Sequence, residues 1–210
     1  MKRQNLSVFI IMYLFLVTIL WAGDDFEIGI SVMPDSPLSE IELDGVADPN
    51  NWNYGGHLAW SPSILYLSWD AFYLPKETAI KMTIRMQGDP EYMHLENSES
   101  IVNFIDAGIQ LIFLDCIVGF VEIGANYLYV FNVEDISRGG GLFTFGMNLR
   151  AGAGVKLGGI GLILSGTIMF PNLTDMADTM GGLISADPQV KKAAWKQIQI
   201  IPTITMVVYF

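Results

Sequence analysis

The chain has 210 residues, 51% of them hydrophobic, a mean hydropathy of +0.40 and a formal net charge of −11. That length fits one domain with a sizeable core. The apolar fraction excludes intrinsic disorder, and the acidic balance excludes nucleic acid as a partner, because phosphates demand basic surfaces.

Residues 1–22 read as a signal peptide. Lys2 and Arg3 make a basic start, Val8 to Leu20 is an apolar run, and Leu20-Trp21-Ala22 offers a small-residue cleavage site. The run is shorter than the ~20 residues a spanning helix needs. No cysteine lies near the site, so a lipoprotein anchor is not expected. Residues 23–210 then form the mature unit, more acidic still, because Lys2 and Arg3 leave and no acid does. Cys116, the single cysteine, has no partner for an internal disulfide and reads as a small apolar filler.

From Asp24 to Met33, Phe26, Ile28, Ile30 and Val32 alternate with Glu27, Gly29 and Ser31, a period of two that marks a strand with two unlike faces. A polar loop, Pro34 to Asn53, leads to a second strand from Tyr54 to Trp60, which breaks at Ser61-Pro62-Ser63. Leu65 to Tyr73 alternates again. Residues 75–102 read as a long loop, although Ala79 to Met86 offers a strand extension. Strands follow over Ile105–Phe113 and Val121–Phe131, with a tight corner at Leu114-Asp115. After Gly139-Gly140-Gly141, Phe143 to Arg150 is the next strand, and Gly152 to Gly159 reads as a turn before Leu162–Phe170. Residues 171–195 form a last long segment with room for a short helix. Gln197 to Phe210 closes the chain, with Phe210, Val208, Met206 and Ile204 on one face and Thr203, Thr205 and Tyr209 on the other. Pro202 lacks the N–H that a paired strand donates, so a bulge or a later strand start is expected there.

About eight strands result, joined by connections that alternate long and short. Aromatic residues gather at the strand ends: Phe26, Trp60, Phe113 and Phe210 near the short turns, and Tyr73, Tyr129, Phe131, Phe143 and Phe170 near the long loops. The terminal Phe210 preceded by Val208 and Met206 resembles the closing strand of bacterial outer-membrane β-barrels. That resemblance implies that the three residues serve as an assembly signal for the barrel-assembly machinery. Such barrels have even strand numbers, short periplasmic turns, long extracellular loops and aromatic girdles. The expected fold is therefore all-β, an eight-stranded antiparallel transmembrane up-and-down β-barrel over residues 23–210, in the outer membrane and in contact with its lipid. A helical bundle is the rival. Ile105–Phe131 and Leu142–Phe170 are long enough to span, but they carry Asp106, Asp115, Glu122, Arg150 and Lys156. A charged side chain at the centre of a spanning helix costs roughly 2.5–3.5 kcal/mol, and period two places these residues without that cost. A soluble sandwich would leave the second apolar face unexplained.

Val121–Phe131, VEIGANYLYVF, is similar to the glycine–small–Asn–Tyr stretch of the OmpW type. The resemblance implies a narrow barrel that passes small hydrophobic solutes sideways towards the lipid. An eight-stranded barrel has an interior just wide enough for side chains to fill. Glu27, Asp70, Asp106, Glu122 and Arg150, with Asn126, Asn148 and Gln110, make the expected lumen polar network. It is either a plug, in which Arg150 pairs with Glu122 or Asp106, or a polar conduit; the plug is favoured. Leu38, Ile41, Leu43, Met176, Met180 and Leu183 are candidates for an apolar funnel below the loops. The alternative is a surface-exposed structural or adhesion-type barrel that displays Asp35, Glu40, Glu42, Asp44 and Asp48 to host surface molecules. Catalysis on this fold would need a serine activated by a histidine. His57, Ser61 and Asp70 share the predicted inner side, but no His-x-Ser pair is present, so no enzyme is expected. Gly152 to Lys156 fits neither phosphate-binding fingerprint. No carboxylate or histidine cluster has metal-ligand spacing, and no cofactor is expected.

Overall fold

The structure, a computed structural model, describes residues 26–34, 52–62, 64–75, 99–131, 142–170 and 172–210. The expected signal peptide, the strand extension over 79–86, the acidic loop residues, and Leu38, Ile41 and Leu43 lie outside these residues.

Eight strands follow in chain order: β1 (Phe26–Pro34), β2 (Trp52–Trp60), β3 (Leu65–Leu74), β4 (Glu99–Phe113), β5 (Ile117–Phe131), β6 (Leu142–Leu157), β7 (Ile160–Phe170) and β8 (Ile200–Tyr209). Each pairs antiparallel with its sequence neighbours, and β1 pairs with β8, so the sheet is a closed barrel in strand order. Phe26 and Phe210 seal the seam: the Phe210 N–H donates to the Phe26 carbonyl at 2.9 Å and the Phe26 N–H returns to Phe210 at 3.4 Å. Closure leaves no strand edge unpaired along the shared ladders.

The pleat sorts the residues. On β3, Tyr66, Ser68, Asp70, Phe72 and Leu74 are buried in the lumen, whereas Leu65, Trp69 and Tyr73 are exposed on the outer wall. Ile105 and Ile109 on β4, Val121 and Ile123 on β5, Leu162 and Leu164 on β7, and Met206 and Val208 on β8 continue that apolar outer wall. Trp60, Phe113 and Phe210 are exposed at the short-turn end, and Tyr73 and Tyr129 at the loop end. Phe170 departs from the expected belt, since it is buried. The side chains of Phe131 and Phe143 lie outside the described residues.

The corner at Leu114-Asp115 is a two-residue turn with φ of 53° and 56°, closed by the Cys116 N–H on the Phe113 carbonyl at 3.2 Å. Two left-handed residues in succession match the twist of the flanking strands. The Gly152–Gly159 stretch is corrected: β6 runs to Leu157, and only Gly158-Gly159 turns. Gly152 pairs within the strand with Phe120 and Ser165, and the Phe120 ring fills the space a side chain there would occupy, 2.5 Å from an added Cβ. β4 likewise starts at Glu99, inside a stretch read as loop, and β8 starts at Ile200, after a helix that contains Gln197.

Pro202 sits in β8 in regular register opposite Gly166, without a bulge. Even-numbered β8 residues aim their backbone N towards β1, as Phe210 does. The β1–β8 ladder ends at Val32–Ile204, so the missing donor falls just beyond it, where the same register would set Pro202 against Pro34.

Two helices connect β7 to β8: α1 (Leu173–Ile184) and α2 (Pro188–Gln197). Asn172 caps α1 by accepting from the Asp175 N–H at 2.9 Å, and Asp187 caps α2 by accepting from Gln189 at 2.8 Å. Among the described residues no helix is long and apolar enough to cross a membrane. Ile105–Phe131 and Leu142–Phe170, the two stretches of the helical rival, are strand hairpins.

Candidate functional site: the barrel lumen

Inward side chains form three layers. At the short-turn end Ala59, Tyr66, Phe120, Ile163 and Val207 pack together with Tyr209 against them. The Tyr66 and Phe120 rings stand 5.1 Å apart. At the loop end Met33, Phe72, Leu74, Val102, Phe104, Leu128 and Ile201 are buried, with Phe72 edge-on to Phe104 at 6.1 Å. Between these apolar layers lies a band of charge.

Asp70 is the hub of that band. Its carboxylate accepts from the Arg150 guanidinium in a short ion pair, from the imidazole Nδ1 of His57 at 2.9 Å and from the Ser31 hydroxyl at 3.2 Å. The His57–Asp70 contact follows from the β2–β3 register, which sets the two residues opposite each other. Arg150 comes from β6, across the lumen. Its Nε donates to the Ser165 hydroxyl at 3.2 Å, its guanidinium lies 5.5 Å from the centre of the Phe120 ring, and Glu122 stands 3.8 Å away. Glu27 accepts from the Tyr66 hydroxyl and from the side-chain amide nitrogen Nε2 of Gln110, both at 3.2 Å, and lies 3.8 Å from His57 Nε2. Glu122 accepts from Ser68 at 2.6 Å, and Asp106 from Asn148 at 2.6 Å.

One glycine decides the last of these bonds. Asp106 on β4, Gly124 on β5 and Asn148 on β6 occupy one row of the sheet. Asp106 and Asn148 therefore meet over Gly124, where an added Cβ would collide with the Asp106 carboxylate and the Ile105 carbonyl and lie 2.8 Å from Asp106 Cα. A side chain at this position would separate β4 from β6 inside the barrel.

The structure brings all five expected network residues into the lumen, each buried. Of the two pairings expected for Arg150, the one with Glu122 is present, at 3.8 Å, and the one with Asp106 is not. Asp70 is the nearest partner of Arg150, Glu122 stands further off, and Asp106 takes its bond from Asn148. The shear of the barrel causes this, since it sets Arg150 on β6 level with a strand on the far wall rather than only with its ladder neighbours. His57 and Tyr66 belong to the band although neither was placed in it by sequence reasoning. Their inward parity was visible, and the β2–β3 register was the signal that joins His57 to Asp70. Both His57 ring nitrogens are engaged, Nδ1 by Asp70 and Nε2 by Tyr66 at 3.4 Å and Glu27. Among the described residues no group of three or more His, Cys, Asp or Glu side chains is placed to hold a metal.

Of the funnel candidates within the described residues, Met176 is buried, Leu183 is half-buried and Met180 is exposed on α1. Phe210, Val208 and Met206 share the outer wall of β8.

Chemically, the band is one guanidinium and one imidazole among four carboxylates under two apolar lids: Asp70 is paired with both, whereas one oxygen each of Asp106 and Glu122 has no hydrogen-bond partner among the described residues. Buried charges are tolerable when paired and hydrogen-bonded, and removing one member of such a pair costs about 3–5 kcal/mol because the other is left uncompensated.

No family model matches the chain, and no curated protein matches it. Among solved structures it is similar to the N-terminal β-barrel domain of Pseudomonas aeruginosa OprF, at 10% identity, with 89% of this chain and 98% of that one covered and a TM-score of 0.49. It is also similar to Ail, the attachment invasion locus protein of Yersinia pestis, at 8% identity over 88% of this chain and 95% of that one, TM-score 0.43. Neisserial surface protein A follows at 7% identity over 88% and 97%, TM-score 0.42. These are likenesses of fold alone.

Proposed function

We propose that the protein is an integral outer-membrane barrel with a sealed lumen, a structural surface protein that displays its long loops outward to host surface molecules. The observation that carries this reading is the filling of the lumen. Buried side chains from all eight strands occupy its short-turn end, its middle and its loop end, with the middle held by the Asp70–Arg150–His57 cluster. Membrane insertion is supported by the outer wall, whose exposed residues are predominantly Ile, Leu, Val and aromatic, while the lumen carries the polar groups. Export by residues 1–22, and recognition of Phe210, Val208 and Met206 by the barrel-assembly machinery, belong to the same proposal.

A narrow conduit of the OmpW type is the second reading. It is favoured by the buried apolar lining at the loop end, Met33, Phe72, Leu74, Phe104 and Leu128, and by the resemblance of Val121–Phe131. The two readings separate in reconstituted liposomes. The sealed barrel is expected to leave ion flux and uptake of a small apolar solute at the level of protein-free vesicles. Uptake that scales with the amount of folded protein is the result that would replace it with the conduit.

A further inference from the structure

In a chain of net charge −11, α2 stands apart: its sequence PQVKKAAWKQ holds three lysines and no acid. Its packing decides which side is free. Ala194 is buried, and an added Cβ on Gly182 of α1 would lie 2.8 Å from the Ala194 methyl, so the two helices touch closely there. Lys191, Lys192 and Trp195 are exposed, Trp195 to 57%, and lie three and four residues apart on one side of the helix. Among the described residues neither lysine has an ion pair. The tip of the hairpin adds Ile184, 84% exposed, and Val190.

The hairpin also lies at a definite level of the barrel. Phe170 pairs in register with the outward Met147, yet it is 6% exposed, whereas Leu164 lower on the same outer face is 59% exposed. α1 packs against β6 and β7. The hairpin thus sits at the loop-end rim beside the outer wall, near the aromatic belt that holds Tyr73 and Tyr129.

We propose that α2 is a lipid-docking helix: Lys191 and Lys192 bind the phosphates of anionic lipid headgroups, and Trp195 enters the interface between them. The occupant is argued from charge complementarity, from the tryptophan flanked by lysines that characterises interfacial helices, and from continuity with the apolar outer wall. A lipid phosphate supplies both an anion for the lysines and an apolar boundary for the indole; a soluble anion supplies only the first. This inference rests on the reading of the chain as a membrane barrel.

The test uses the full protein reconstituted in vesicles of phosphatidylcholine alone and of phosphatidylcholine mixed with phosphatidylglycerol. Trp195 is isolated as the difference between the wild-type and W195F emission, and its quenching by acrylamide is measured. Trp195 is expected to be several-fold less accessible in the mixed vesicles. Each of Lys191→Gln and Lys192→Gln should weaken docking about 5-fold, which is roughly 1 kcal/mol per basic residue at an anionic surface. The K191R/K192R pair should retain the protection, and salt near ~1 M, where the screening length is about 3 Å, should remove it. Equal quenching in both vesicle types, with the barrel folded by the faster migration of its unboiled gel band, overturns the lipid site and leaves the barrel standing. Protection reproduced in pure phosphatidylcholine by inorganic phosphate or by a soluble sulphated polysaccharide overturns it as well. A protein without a faster unboiled band in either vesicle overturns the barrel, and the docking helix with it.

Discussion

Arg150 is the one arginine or lysine buried in the middle of the lumen among the described residues, and four carboxylates, Glu27, Asp70, Asp106 and Glu122, share the space with it. Its fork reaches Asp70 with one nitrogen and Ser165 with another, a geometry that a lysine ammonium does not reproduce. Arg150→Met is expected to destabilise the refolded barrel by about 3–5 kcal/mol, because Asp70 and Glu122 lose their buried counter-charge. Arg150→Lys should lose less, keeping the charge and forfeiting the second hydrogen bond. Urea unfolding in detergent micelles, followed by tryptophan emission, reads both. Equal stability of Arg150→Met and wild type would show that the lumen tolerates its carboxylates without the guanidinium. At this scale the sequence revealed which side chains point inward. Which of them meet depends on how far strands are sheared around the barrel, and no local pattern carries that information.

At the scale of the element, β8 holds the least regular feature of the barrel. Its ladder to β1 stops at Val32–Ile204, and the same register would place two residues without N–H groups, Pro34 and Pro202, face to face. The seam therefore ends early at the loop end on one side, while β7 pairs with β8 as far as Ile168–Ile200. Pro202→Val supplies one donor aimed at the Pro34 carbonyl. It is expected to extend the seam and to add about 0.5–1.5 kcal/mol, the usual net worth of one hydrogen bond, less the small entropic advantage of the lost proline. Amide hydrogen exchange at Ile204 and Val32 is the measurement, and slower exchange at both is the expected outcome. The misfit of Pro202 was legible in the sequence, but its resolution was not. A bulge is the local answer, whereas the barrel places the proline where its ladder has already ended. Strand β6 runs longer than its glycines suggest for a related reason. Gly152 and Gly154 resemble turn residues in isolation, yet inside a narrow barrel they make room for Phe120 and Ile163.

For the whole molecule, closure is the property from which the rest follows. Every strand has two partners, and the seam between the first and last strands is sealed by Phe26 and Phe210 at the short-turn end. Unfolding must break a continuous ring of ladders together with the lumenal charge band, so partial opening from an edge is not available. The refolded protein is expected to resist sodium dodecyl sulfate at room temperature and to run faster unboiled than boiled, with a strand-rich circular dichroism spectrum. A helical spectrum with a single band would contradict the closed sheet. The helical hairpin between β7 and β8 is the one described departure from strand architecture, and its basic helix lies on the loop-end rim of an otherwise acidic chain.

What the sequence determined by itself was periodicity and its consequences: alternating residues, long and short connections in turn, an apolar wall and a polar interior. These are local quantities, because a strand's two faces follow from the backbone of each successive residue. The tertiary structure decided the partners: Arg150 with Asp70, His57 with Asp70 and Asp106 with Asn148 over Gly124; it also buried Phe170 rather than leaving it in the outer belt. Those contacts join residues far apart in the chain, and their identity depends on strand stagger and barrel closure, which are properties of all eight strands at once.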